Sequence, residues 1–118
     1  MIRPLILSLA LLASPAAAVE TEAAQGALLR ALDKVAGTTT DLDVDTGGEQ
    51  GFGHIKVRVS ECRYPSGDAN SDAFVHLTIT DDKSPKPLFD GWMVASSPAL
   101  SALDHPRYDV WVIRCRIS

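Results

Sequence analysis

Apolar and polar residues alternate in step along much of this chain. Ile55, Val57 and Val59 alternate with Lys56, Arg58 and Ser60, and a period of two is that of a strand with one face buried. Ala73, Val75, Leu77 and Ile79 alternate in the same way with Phe74, His76, Thr78 and Thr80. Leu42 and Val44 stand opposite Asp41, Asp43 and Asp45. In the closing segment, Asp109 to Ile117, Val110 and Val112 fall on one face and Trp111 and Ile113 on the other. Apolar residues on both faces predict a central strand there.

Residues 27–35 fit two patterns. Leu28, Ala31, Leu32 and Val35 lie at helical spacing. The segment nevertheless stops at Ala36-Gly37 and runs straight into the β-branched Thr38-Thr39-Thr40, so two short strands about a glycine turn fit as well. The reading adopted is strands. Gly47-Gly48 with Gly51, the polar stretch Pro65–Asp72, and Asp81–Pro87 with its two prolines read as turns and loops. Leu88–Ala95 is aromatic-rich and extended. Ser96–Tyr108 lacks alternation and is framed by Pro98 and Pro106, with one helical turn expected at Ala99–Leu103. Five to seven short strands separated by turns predict an all-β fold: a small antiparallel β-sandwich or barrel with an irregular loop or short helical turn before the last strand.

The N-terminus has a different character. Met1-Ile2-Arg3 is a short positive region, Leu5–Ala13 is apolar apart from Ser8, and Ala16-Ala17-Ala18 follows Pro15. This is the pattern of a secretory signal peptide cleaved after Ala18, and it falls short of the roughly 20 apolar residues of a membrane span. The organisation expected is therefore a signal peptide at 1–18, a flexible lead-in at 19–27 and a single β domain at 28–118. The mature protein would be periplasmic, with no transmembrane anchor after cleavage. Loss of Arg3 leaves ten basic residues against fifteen acidic ones. A net acidic domain without a basic stripe excludes nucleic acid as the expected partner.

Export also sets the state of the cysteines. Cys62 and Cys115 are the only two and are not a C-x-x-C redox pair. In an oxidising compartment they are expected to form one disulfide. Strict alternation puts Cys62 on the face of Lys56 and Arg58, and Cys115 on the face of Trp111 and Ile113. A bridge therefore requires a bulge near Glu61 or an early end to the first strand.

Candidate chemistry is sparse. Asp41-x-Asp43-x-Asp45 and Asp68-x-Asn70-x-Asp72 open like calcium loops. Thr46 and Ala73 then stand where glycine is needed, and Phe52 and Ile79 where glutamate is. The solvated face of a strand and a polar loop account for them, although a weak cation-binding module built on the first ladder stays open. Ser96, Ser97, Asp104 and His105 are the residue types of a nucleophile, an orienting acid and a base, without a G-x-S-x-G elbow. His54, His76 and His105 have no zinc spacing, and His76 reads as an exposed strand residue. No cofactor is expected.

The richest stretch is Gly91-Trp92-Met93 through Ser96-Ser97-Pro98-Ala99-Leu100-Ser101-Ala102-Leu103, then His105-Pro106 and Tyr108-Asp109-Val110-Trp111. This block resembles the signature of the domain of unknown function 2155 family, exported proteins found largely in Alphaproteobacteria. Leu32-Asp33-Lys34-Val35, Phe52-Gly53 and Cys62 sit where that family's earlier motifs would. Two positions depart from the pattern: Val94 replaces an aromatic residue and Ala36 a threonine. The resemblance implies export and the domain limits, and no catalysis.

Three functions follow as expectations. The first is a non-catalytic envelope protein that binds another envelope protein or a cell-wall component through Trp92, Ser96, Ser97, Asp104, His105, Arg107 and Tyr108, since aromatic, arginine and small residues together form recognition surfaces. The second is a small periplasmic hydrolase using Ser96 or Ser97 with His105. The third is the cation module.

Overall fold

A computed structural model describes residues 19–118, and of the preceding segment only Pro4. The signal peptide expected at 1–18 otherwise lies outside the described residues. Eight strands follow in order: β1 (Thr21–Ala23), β2 (Gly26–Asp33), β3 (Thr38–Asp45), β4 (Glu49–Phe52), β5 (Ile55–Pro65), β6 (Phe74–Asp81), β7 (Phe89–Val94) and β8 (Tyr108–Arg116). They form two antiparallel sheets, packed on each other and not closed into a barrel. One runs β1-β5-β6-β7, with β4 also paired to β5; the other runs β3-β2-β8. The expected all-β sandwich is what forms, and the described residues contain no helix.

The core lies between the sheets. Ala27, Leu29 and Ala31 of β2, Leu42 and Val44 of β3, and Val110 and Val112 of β8 face Ile55, Val57 and Val59 of β5, Val75, Leu77 and Ile79 of β6, and Met93 of β7. Residues 27–35 thus divide as a strand divides, and Leu28 and Leu32 lie outside the buried set despite their helical spacing. The β2–β3 turn is closed by Asp33, whose Oδ1 accepts the Val35 and Ala36 amides at 3.0 Å each. Gly37 completes it at φ 71°, a conformation that costs a side-chain-bearing residue about 1 kcal/mol or more.

Cys62 and Cys115 form a disulfide with a Cα–Cα distance of 5.9 Å, joining β5 to β8 and hence sheet to sheet. Two irregularities bring them together. The β5–β6 register slips between Val59 and Glu61, leaving Ser60 as an extra residue. The β2–β8 register slips between Leu28 and Leu29, leaving Ile113 as an extra residue opposite. Each bulge reverses the inside–outside order beyond it. Cys62 follows Val59 into the core and Cys115 follows Val112, three positions on in both strands, and both are buried.

Three details depart from the sequence reading. The lead-in at 19–27 is not loose: Thr21–Ala23 pair with Arg63–Pro65 of β5, and β2 already begins at Gly26. Ala99–Leu103 forms bends and a turn, not a helical turn, with the Leu100 amide donating to the Ser97 carbonyl at 3.1 Å. Finally, β8 is an edge strand and β2 is the central one. The outer face of β8 is apolar for another reason: Trp111 lines a groove together with Pro98, Ala99 and Ala102 of the incoming connection.

Candidate functional site

The connection between β7 and β8 carries most of the residues singled out in the sequence, and the structure scatters them. Trp92 faces outward from the larger sheet and is 44% exposed. Ser96 sits in the turn after β7, where its Oγ and amide donate to Asp72 at 2.7 and 3.0 Å. Ser97 donates its amide to the Val94 carbonyl. Leu103, 5% exposed, pins the middle of the connection to the core, and Asp104 beside it is exposed. His105 is a staple: its Nδ1 accepts the Arg107 and Tyr108 amides at 3.0 and 3.1 Å. The serines and His105 are therefore engaged separately, each in its own turn.

Arg107 and Tyr108 belong to the framework. The Arg107 guanidinium grips Asp33, with Nη2 3.0 Å from Oδ2 and Nε 3.2 Å from the same oxygen. Lys34 reaches the His105 carbonyl at 2.6 Å, and its amide donates to the Arg107 carbonyl. Tyr108, 2% exposed, accepts the His54 amide on its hydroxyl at 3.1 Å and meets Phe52 edge-on at 5.8 Å. Asp33, Phe52-Gly53 and His105–Tyr108 are far apart in the chain and converge at one end of the sandwich. The Arg107 side chain, and after it the Ala36 amide, hold the Asp33 carboxyl below the ordinary carboxylate range, while Asp33 raises Arg107. This end is self-satisfied and holds the turns in place.

The aspartate ladder is also occupied. Arg30 pairs with Asp41 at 2.8 Å and lowers its pKa. Arg116 reaches Asp43 at 2.7 Å and also bonds Asp45. Among the described residues, no group of three or more His, Cys, Asp or Glu side chains is disposed to hold a metal ion. In the second calcium-like stretch, Asp72 is spent on Ser96 and the Ala73 amide.

One constellation lies where the sequence reading saw only an exposed strand. Ser60 Oγ is 2.5 Å from His76 Nδ1, and His76 Nε2 is 3.5 Å from Asp90 Oδ1. Trp92 meets the imidazole edge-on at 5.3 Å. These are the residue types of a nucleophile, a base and an orienting acid, but they stand on an open sheet face. They line neither the cavity beside Arg114 nor the one beside Trp111. The pairing across strands could be read from the sequence only with the β5–β6 register in hand, and the Ser60 bulge shifts that register.

The more apolar of those two cavities, about 430 Å³, lies between the connection and β8 and is lined by Pro98, Ala99, Ala102, Asp109, Val110 and Trp111. Leu100 stands beside it, 79% exposed. The β8 amides near the groove are already engaged by side chains: Tyr108 N–H donates to His105, and Val110 N–H to Asp109 Oδ1 at 2.9 Å. Such caps blunt an unpaired strand edge against indiscriminate pairing. What the groove offers is therefore an apolar socket rather than a row of free backbone groups. Trp111 is its indole wall, a residue that the sequence placed in the closing strand and in the family-like block but not among the candidate binding residues.

Comparison with known proteins adds kinship without an activity. A family model described as an uncharacterised protein conserved in bacteria (DUF2155) matches residues 27–115. An uncharacterised protein of Rickettsia prowazekii (strain Madrid E) is 36% identical over 88 residues, covering 72% of this chain and 57% of that protein. The chain thus spans little more than half the length of that relative. No solved structure matches it.

Proposed function

Since the chain belongs to the DUF2155 family of uncharacterised bacterial proteins, we propose a function from its own geometry: a soluble, non-catalytic periplasmic protein that holds an apolar side chain of another envelope protein in the Trp111 groove. The groove carries this reading. Its volume of about 430 Å³ falls in the 300–1,000 Å³ range of ligand pockets. Trp111 at its wall is of the residue type that anchors interfaces, and exposed Leu100 adds apolar area at the rim. Support for the periplasmic setting comes from the secretory pattern of residues 1–18 and from the Cys62–Cys115 disulfide, which persists in oxidising compartments. No helix among the described residues is long and apolar enough to cross a membrane.

A photo-crosslinking residue at Ala102 tests the reading in intact cells. The expected result is an adduct with one envelope protein. It should be absent when the residue is placed at Lys83, in the β6–β7 loop, and lost when Ala99→Arg fills the groove. Ala99 and Ala102 are both exposed, so the folded state tolerates these changes. Equal adducts from both positions, or an adduct unaffected by Ala99→Arg, would refute the proposal.

A further inference from the structure

We propose that the open face of the five-stranded sheet is a second, separate binding site, for a carboxylate-bearing glycan of the cell wall. The proposal shares only the exported location with the groove reading. The face is assembled by register. On β6, Thr78 lies between Arg58 and Asp90, and the neighbouring His76 pairs with Trp92. Lys56 lies across from Thr80 one row away. These residues alternate with the buried core positions, so they share the outward side.

Three properties of this face match a sugar chain. Trp92 is an indole 44% exposed on the outside of a sheet, and its edge contact with His76 fixes the ring. A fixed aromatic plane gives a large contact area for the C–H face of a pyranose at little entropic cost. Beside it stand polar groups already ordered by one another: Ser60 bonds His76, and Thr78 Oγ1 donates to Asp90 Oδ1 at 3.3 Å. They supply the donors and acceptors that ring hydroxyls need.

The third property is charge. Arg30, Arg63, Arg107 and Arg116 each pair with a carboxylate. Among the described residues, Arg58 and Lys56 do not, nor do Lys34, Lys83, Lys86 and Arg114 outside the strands of this sheet, although Glu49 stands across from Arg58 in the β4–β5 ladder. Unpaired cations on a net acidic chain favour an anionic ligand, and arginine binds carboxylates in a bidentate fork. Strands lie about 4.8 Å apart and rows about 6.8 Å, which places Trp92 and Arg58 roughly 12 Å apart. A glycan can therefore stack one ring on Trp92 while a carboxylate further along reaches Arg58.

Co-sedimentation with purified peptidoglycan sacculi is the test, with chitin as a neutral glycan and polyglutamate as a sugar-free polyanion. The expected result is binding to sacculi that weakens at least tenfold in Trp92→Ala and several-fold in Arg58→Gln. Chitin should bind less well, and Ala99→Arg should leave sacculi binding unchanged. Melting curves of both variants should match the parent, because neither side chain belongs to the core. No sedimentation with sacculi, binding indifferent to Trp92→Ala, or equal binding to polyglutamate would overturn the inference. An effect of Ala99→Arg equal to that of Trp92→Ala would also overturn it, by placing the glycan in the groove.

Discussion

Arg107 holds Asp33 across 74 positions of the chain, Nη2 to Oδ2 at 3.0 Å, and this contact ties the turn after β2 to the entry of β8. Asp33 is 8% exposed and accepts two further amides from its own turn. Arg107→Ala would leave a nearly buried carboxylate without its cation and should lower the melting temperature. A lost surface function at unchanged melting temperature would instead make Arg107 a contact residue. Differential scanning fluorimetry distinguishes these outcomes.

The same pair gives a pH signature. The Asp33 carboxyl is held below its ordinary value by Arg107 and the turn amides. Its contribution is complete above the unfolded-state value of about 3.9 and is lost as pH falls through the lower folded value. Melting temperature should therefore fall as pH drops below about 4, and the fall should be shallower in Asp33→Asn, which is also less stable near neutrality. Asp41, lowered by Arg30, contributes in the same direction, so Asp41→Asn is the control that separates them. Identical slopes for Asp33→Asn and the parent would refute the assignment.

Gly53 is a backbone position that Tyr108 requires. It has φ 56°, and a Cβ there would collide with the Tyr108 hydroxyl. That hydroxyl must stay in place to accept the His54 amide. Gly53→Ala combines left-handed strain of about 1–2 kcal/mol with a displaced ring and should cost roughly 2–4 kcal/mol in denaturant titration. Tyr108→Phe keeps the packing and loses one hydrogen bond, about 1 kcal/mol. A smaller loss in Gly53→Ala than in Tyr108→Phe would mean that the turn relaxes freely.

The alternating valines of β5 and β6 made the larger sheet legible, because a period of two assigns each side chain to a face. The edge position of β8 was not legible: Trp111 and Ile113 look like a second buried face, whereas the apolar neighbours of Trp111 come from the connection at 98–102. His105 and Arg107 had the composition of a recognition surface, yet both are engaged within the chain by partners no local pattern reveals, such as Asp33, 74 residues away. Ser60, His76 and Asp90 meet only once three strands are in register. The cysteine pairing was legible from the number of cysteines and from the secretory pattern of residues 1–18. Its geometry needed two bulges, of which the sequence suggested the one near Glu61 and gave no sign of the one at Ile113.

The disulfide should dominate stability. Cys62 and Cys115 are 53 positions apart, and chain-entropy arithmetic for a loop of that size gives about 4 kcal/mol. A domain of about 100 residues has only about 5–15 kcal/mol in total. The bridge also joins the two sheets at a point where each strand departs from regular pairing. Bulges weaken the local ladder, so the cross-link acts where backbone bonding is poorest. Reduction should therefore lower the melting temperature by roughly 15–30 °C, taking 4–8 °C per kcal/mol for a domain of this size. A Cys62→Ala/Cys115→Ala double variant should match the reduced protein and be insensitive to reductant, which separates loss of the cross-link from side reactions of free thiols. Thiol labelling of the folded, unreduced protein should find no reactive cysteine. Two labelled cysteines, or a reduced protein as stable as the oxidised one, would show that packing of the valine core alone holds the sheets together.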